Sequence, residues 1–307
     1  MRKVLVTGHD PKNPMGLFAE TLEVFNQLIR SKQLTGQYDT ELAVEWGSDC
    51  CYYHANTGNN VFEYYFTPLF DKPLVPGEER LLGGKIAGFY DEEKVSKCTW
   101  GPLSVHRNEK SKDKFVKQAN EEIWQKIFRF RPEVEHKLET ATRNLMQDYV
   151  FVGTHRRTTD WGHGPIPDRS AVFDALDDYV ADGYSVYLST DNDYEMQEFK
   201  TKYGDALFCN QVCRGTNAHG QPMFGHCESP AHHGYEAILD AYMLAKADVR
   251  LATSSNLSTF AAILNPWQTL DERLQPTVHG IEWENGKYAA VHSQKYPGWP
   301  NTRGWGA

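Results

Sequence analysis

The stretch "VGTHRRTTDW" (Val152 to Trp161) packs His155, Arg156, Arg157 and Asp160 into six positions, directly after the apolar run "DYVF". Two later stretches carry comparable polar loads: "YLSTDND", which ends on Asp191 and Asp193, and "VRLATSSNLSTF", which holds Ser254, Ser255 and Asn256. The planar fork of arginine matches phosphate oxygens in two-point contacts. A "TSSN" segment that opens a helix adds unsatisfied N–H groups and a helix dipole, both of which favour an anion. A carboxylate such as Asp191 suits a base with two adjacent N–H donors, which guanine has and uracil lacks. Taken together, the three clusters are suited to a nucleoside diphosphate.

The elements that must hold these clusters are legible in the second half. "DYVFVGT" is a strand, "SAVFDALDDYVADG" a helix closed by Gly183, "YSVYLST" a strand and "YEMQEFKTKYG" a helix closed by Gly204. "DALFC" (strand), "GYEAILDAYMLAKA" (helix), "VRLAT" (strand) and "NLSTFAAIL" (helix) follow. This alternation has the spacing of βαβ units and predicts a parallel sheet with helices on both faces. Ligands of such open sheets bind outside the carboxyl ends of the strands, where all three clusters fall. The first half opens with the strand "KVLVTG", the loop "HDPKNPMG", a helix over "LFAETLEVFNQLIRS" and a strand in "TELAVEWG". "NNVFEYYFTPLF" is aromatic with no period that selects helix or strand. From Lys72 to Asn108, prolines and glycines predict loops around short strands such as "GKIAGFY". Two helices, Lys114 to Arg129 and Glu133 to Met146, are parted by Arg131 and Pro132, a proline placed to start a helix. Beyond Pro266, "HGIEWENGKYAAVHS" reads as a hairpin turned on Asn285 and Gly286.

With 307 residues the chain is at the length where single cores stop growing, so two domains are expected, 1–147 and 148–307. No window approaches the roughly 18 apolar residues of a membrane span, and the short apolar run of "MRKVLVTG" reads as a strand rather than a secretory signal. A cytoplasmic protein with no membrane span is expected. A net charge of -9 excludes a general nucleic-acid binder, which needs a basic surface. Six cysteines lack the density of a disulfide scaffold and read as reduced thiols.

In order and context, "VFVGTHRRTTD", "YLSTDND" and "AILDAYMLAKADVRLATSSNLSTFAAIL" resemble the three donor-binding motifs of the GT-B fucosyltransferases, the superfamily of the α-1,6, α-1,2 and protein O-fucosyltransferases. The resemblance is nearest to the α-1,6 branch, whose first motif runs H-x-R-R-T-D. It covers the second half up to the hairpin; the first half is similar only in outline. The resemblance implies two Rossmann-like domains facing each other across a cleft, with the donor held by the second. It also implies inverting transfer of fucose from GDP-fucose to a hydroxyl of an oligosaccharide or glycoprotein, with no cofactor and no metal. By the same resemblance His155 and Arg157 match the donor-binding histidine and the diphosphate arginine, Asp191 a carboxylate that reads guanine, and Ser254 and Ser255 phosphate-contacting residues. The chain departs from the α-1,6 pattern at Thr158, which stands where a second arginine is expected, and at Arg156, which takes a normally apolar position. The departure bears on fucose and on linkage more than on nucleotide-sugar binding.

Each residue also has a plainer reading. Arg156 and Arg157 would serve as surface charges paired with Asp160, Ser254 and Ser255 as a helix N-cap, and Asp191 as a cap of the helix that follows. His163 and Asp168 lie where a general base reaches an acceptor hydroxyl, although Asp168 also suits the N-cap of the "SAVFDAL" helix. His9 and Asp10 belong either to a cleft loop or to a turn. Cys209, Cys213, His226, Cys227, His232 and His233 fit no common closed zinc site, and Asp191 with Asp193 forms a D-x-D able to hold a divalent ion. In the glycosyltransferase reading, Arg157 and the helix after Ser255 take the metal's role, and the aromatic first half presents the acceptor. The alternatives are the same scaffold with another donor, such as UDP-xylose or a rhamnosyl nucleotide, a binding module without catalysis, and a metal-stabilised interaction domain.

Overall fold

The computed structural model describes residues 3–6, 16–39, 41–69, 79–82, 103, 109–146, 149–158, 168–212, 214, 229–251, 253, 255–274, 278–284 and 287–292. These residues form a mixed α/β fold with two separate parallel sheets.

In the first half, β1 (Lys3–Val6) lies between β2 (Ala43–Glu45) and β3 (Glu79–Leu82), and both neighbours run parallel to it. The helix α1 (Leu17–Thr35) carries the chain from β1 to β2. Its apolar residues Leu17, Phe18, Leu22, Phe25, Leu28 and Ile29 recur at helical spacing, and all are buried. It stops at Gly36, whose φ of 78° is left-handed and whose N–H donates to the Lys32 carbonyl. The undecided aromatic stretch forms one helical turn, α2 (Phe62–Tyr65), after which Phe66 pairs with Phe130 in an isolated antiparallel bridge. α3 (Glu109–Gln118) begins earlier than its sequence pattern implies and widens into π-helical turns over Ala119–Trp124. The widening sits where Asn120 enters the core and its side-chain amide donates to the Ile263 carbonyl at 2.7 Å. α4 (Pro132–Met146) starts on the proline, as expected. "GKIAGFY" lies outside the described residues.

In the second half, β4 (Phe151–Arg156), α5 (Arg169–Ala181), β5 (Ser185–Thr190), α6 (Asp193–Tyr203), β6 (Leu207–Phe208), α7 (Pro230–Lys246), β7 (Val249–Leu251) and α8 (Asn256–Leu264) alternate as the sequence predicts. A further strand, β8 (Thr269–Asp271), is too short to leave a period in the sequence. All five strands are parallel, in the order β6-β5-β4-β7-β8. The chain therefore steps outward from β4 through β5 and β6, then returns to β4's other side with β7. This is the reversal of a Rossmann sheet, and it opens a crevice between the carboxyl ends of β4 and β7. β9 (Val278–Glu284) and β10 (Lys287–His292) pair antiparallel with Glu284 opposite Lys287, the two-residue connection expected of the hairpin.

Alternation along the strands sorts side chains between the two faces. Val152, Val186, Leu188, Val249 and Leu251 pack with α5 and α6. Phe151 and Tyr187 face α7 and α8, in a core that continues into α1, α2 and α4. Phe260 of α8 lies in ring contact with Phe18, Phe25, Phe66, Trp124 and Phe130. Trp46, Phe62, Phe66, Phe128 and Phe130 of the first half are buried in this core. Among the described residues, no helix is long and apolar enough to cross a membrane.

Gly153 in the middle of β4 allows α7 to approach closely. A Cβ there would lie 3.0 Å from the Ala247 and Leu244 side chains. Gly153→Val should therefore lower stability by about 1–3 kcal/mol through overpacking. Urea unfolding of the variant beside the unmodified protein measures the loss.

Candidate functional site

His155 leaves β4 on the α7–α8 face and is buried. Its Nδ1 lies 2.8 Å from the Ser255 hydroxyl, across the gap between β4 and β7. Ser255 is the N-cap of α8, and its oxygen accepts the Ser258 N–H at 2.9 Å. The hydroxyl proton is thus available to Nδ1, and a neutral imidazole then carries its single proton on Nε2. Burial, assisted by the Arg157 charge, pushes the His155 pKa down from 6.5 to about 3, so the ring is neutral at physiological pH. Asn256 opens α8 immediately after the cap. Ser254 and His163 lie outside the described residues, as do His9, Asp10, Cys213, His226 and Cys227.

Arg157 follows His155 by two positions and is half-buried, with its Nε 3.9 Å from the Asp191 carboxylate. Asp191 in turn lies two residues beyond Ser189, which β5 points toward α7. The cap of α6 is Asn192, which accepts the Tyr194 N–H at 2.9 Å, so Asp191 is not the cap. Asp191, Arg157 with His155, and Ser255 therefore stand in a row across the carboxyl ends of β5, β4 and β7. Strands lie about 4.8 Å apart, so the row spans about 10 Å, the scale of a nucleotide lying across the strand ends.

Arg156 belongs to the other face and is buried, where its guanidinium pairs with Glu195 of α6. Arg169 of α5 joins the same carboxylate at 2.8 Å and reaches Glu198 at 2.9 Å. Its arginine neighbours hold the Glu195 carboxyl below the ordinary range against the opposing effect of burial. Arg156 is therefore an internal tie between β4 and α6, not the surface charge of the plainer reading. Thr158, where a second arginine was expected, accepts from the Asn192 side-chain amide at 2.8 Å and so joins the end of β4 to the cap of α6. Asp168 stands exposed at the N-cap position of α5, and its side chain makes no cap bond.

Sequence reasoning missed Asp240. This α7 carboxylate is buried beneath β5 and accepts from Tyr187 at 2.6 Å, Ser189 at 2.8 Å and Asn210 at 2.6 Å. Its only sequence signal was an acidic residue on an otherwise apolar helix face. Among the described residues, no group of three or more His, Cys, Asp or Glu side chains is placed to hold a metal.

No protein-family model and no curated protein matches the chain. Solved structures similar to it are fucosyltransferases. They include NodZ α-1,6-fucosyltransferase co-crystallized with GDP, at 14% identity and a TM-score of 0.46 over 95% of this chain and 98% of that one. NodZ from Bradyrhizobium is also among them, at 13% identity and a TM-score of 0.45 over 86% of this chain and 93% of that one. POFUT1 in complex with GDP matches at 10% identity and a TM-score of 0.47, over 88% and 97% of the two chains.

Two outcomes follow from the geometry. Because the folded-state pKa of His155 is depressed, the unfolded chain takes up the proton first, and stability is lost as pH falls from 6.5 toward about 3. His155→Gln should flatten that decline, as read by urea unfolding at neutral pH and about two units lower. Arg156→Ala should cost up to ~3 kcal/mol, limited because Arg169 still neutralises Glu195. Urea unfolding of Arg156→Ala beside the unmodified protein measures the loss.

Proposed function

We propose that the protein is a metal-independent, inverting glycosyltransferase that moves fucose from GDP-fucose to a hydroxyl of an oligosaccharide or glycoprotein. The observation that carries this reading is the row Asp191, Arg157 with His155, and Ser255 across three strand ends, at the point where the strand order reverses. In this reading the chain comprises two Rossmann-like domains, 1–147 and 148–307, facing each other across a GT-B cleft. Two separate parallel sheets, one in each half, support it.

The base lies at the β5 side, where Asp191 accepts from guanine N1–H and N2–H. The diphosphate lies at the β7 side, against the backbone N–H groups that open α8 at Ser255 and Asn256, with the Ser255 hydroxyl held by His155 and Ser254 a further contact that the sequence motif offers. Arg157 swings from Asp191 to the diphosphate as the donor enters. As the bond from fucose C1 to the phosphate oxygen breaks, negative charge grows on the departing GDP. With the donor bound, Arg157 and the α8 N-terminus stand where that charge develops, which is where electrostatic stabilisation helps most. His155, neutral, donates from Nε2 to the donor and not as a cation. On the acceptor side the sequence offers His163 and Asp168 as bases. Asp168 heads a helix on the face opposite His155 and Arg157, and is the less suited of the two. Thr158 favours one second reading, the same scaffold with another nucleotide sugar, because a hydroxyl tied to Asn192 supplies no charge to the donor.

Calorimetry with GDP and UDP tests the base assignment. GDP should bind roughly 10- to 100-fold tighter, since uracil leaves an acceptor unmade. Asp191→Asn should erase most of that preference without abolishing diphosphate binding. Equal affinity for UDP moves the donor to a UDP-sugar such as UDP-xylose. Arg157→Ala should abolish sugar transfer with the fold intact, Arg157→Lys should restore little, and transfer should persist in EDTA.

A further inference from the structure

α7 begins at the carboxyl edge of the five-stranded sheet, because a helix that follows a strand in a parallel unit starts where the strand ends. Its first turns are clamped onto the first half of the chain. The Tyr65 hydroxyl donates to the Ala231 carbonyl at 2.7 Å, and a Cβ on Gly234 would overlap the Tyr65 hydroxyl and touch the Tyr52 ring. His233 sits in this seam, half-buried, with its ring stacked on Tyr52 at 6.1 Å between centroids and 21° between planes. Asp240, two turns farther along α7, holds Ser189 near the end of β5, so His233, seven residues before it, lies about 10 Å along the helix beyond that point, past the carboxyl end of the strand that delivers Asp191.

His233 is also oriented. Its Nδ1 lies 3.4 Å from the Glu236 carboxylate, one turn along α7. The other oxygen of that carboxylate is 3.5 Å from Nε2 of His232, which is itself exposed. A carboxylate on Nδ1 fixes the tautomer and leaves Nε2 to accept a proton, the arrangement by which imidazole most often serves as a base. The described titratable groups in the seam with His233 include Glu236 and His232 on its own helix, and Tyr52 and Tyr65 from the first half. Burial raises the Tyr52 phenol, which keeps it protonated and therefore no rival base.

We propose that His233, oriented by Glu236, is the general base that deprotonates the acceptor, an inference that rests on the nucleotide-sugar reading above. Nε2 takes the proton of the acceptor hydroxyl while its oxygen bonds to C1 of the sugar. The bond from C1 to the β-phosphate oxygen breaks, its electron pair leaves with GDP, and the imidazolium then releases its proton to solvent. His233 is the catalytic residue of this step and Glu236 its positioning residue. Tyr52 packs on the imidazole face and prevents the ring from turning away.

The test uses the full chain with GDP-fucose and water as acceptor, reading GDP release and, separately, GDP affinity. His233→Ala should slow release by about 100-fold or more with GDP affinity within twofold, and added imidazole should restore part of the rate. Glu236→Gln should slow release about tenfold with GDP affinity within twofold, because the imidazole is no longer held by a carboxylate, and Glu236→Asp should restore part of the rate. Normal release by His233→Ala, loss without imidazole rescue, or normal release by Glu236→Gln overturns the base while leaving the donor site standing. Failure of the unmodified protein to bind GDP or release it from GDP-fucose overturns both. Should His233→Ala fold poorly, His233→Gln replaces it, with the same release and affinity expected and normal release again overturning the base.

Discussion

The hydrogen bond between His155 and Ser255 crosses the place where the sheet reverses its strand order. β4 and β7 are neighbours in space, yet 100 residues separate the two bonded side chains. The crevice therefore exists only because β5 and β6 were laid on one side of β4 and β7 and β8 on the other. Everything polar at the site depends on that reversal. It brings His155, buried and neutral, onto the cap of α8 and sets Arg157 on the strand between those that lead to Asp191 and to the helix.

The two faces of β4 divide the work of the motif. His155 and Arg157 project on the face toward α7 and α8, whereas Arg156 turns to α6 and is neutralised by Glu195. A charge in that second position would be costly to bury alone. Arg169 and Glu198 extend the pair into a network that holds β4, α5 and α6 together. Thr158 and Asn192 add a neutral tie between the same strand ends. Arg156 and Thr158, the two departures from the α-1,6 pattern, are both engaged in fastening the strand ends.

The first half is packed against the α7–α8 face of the second. Phe260 anchors an aromatic cluster drawn from both, and Lys112 of α3, fully buried, donates to Thr259 one turn inside α8. Ser255, Thr259 and Lys112 form a continuous series, since Thr259 also donates to the Ser255 carbonyl at 3.0 Å. α8, whose N-terminus is the proposed anion site, is thereby fixed from beneath by the first half of the chain.

The sequence by itself determined the elements of the second half and the residues at their ends. Its periods are long and consistent, and a buried parallel strand reads as an unbroken apolar run. It also determined the caps and stops that depend on local backbone chemistry, such as Pro132, Gly183 and Gly204. Sequence did not reach β8 or the turn at α2, because three or four residues carry no period and only their neighbours hold them in place. It could not tell that Asp191 faces Arg157 while Asn192 caps α6, since adjacent residues with similar side chains are separated only by the direction in which the strand delivers them. The burial of Arg156, the Asp240 network under β5 and the meeting of Tyr52 with His233 were likewise decided by tertiary structure. Each depends on partners from 30 to more than 150 positions away, whose approach is fixed by how the sheets and helices pack and not by any local spacing.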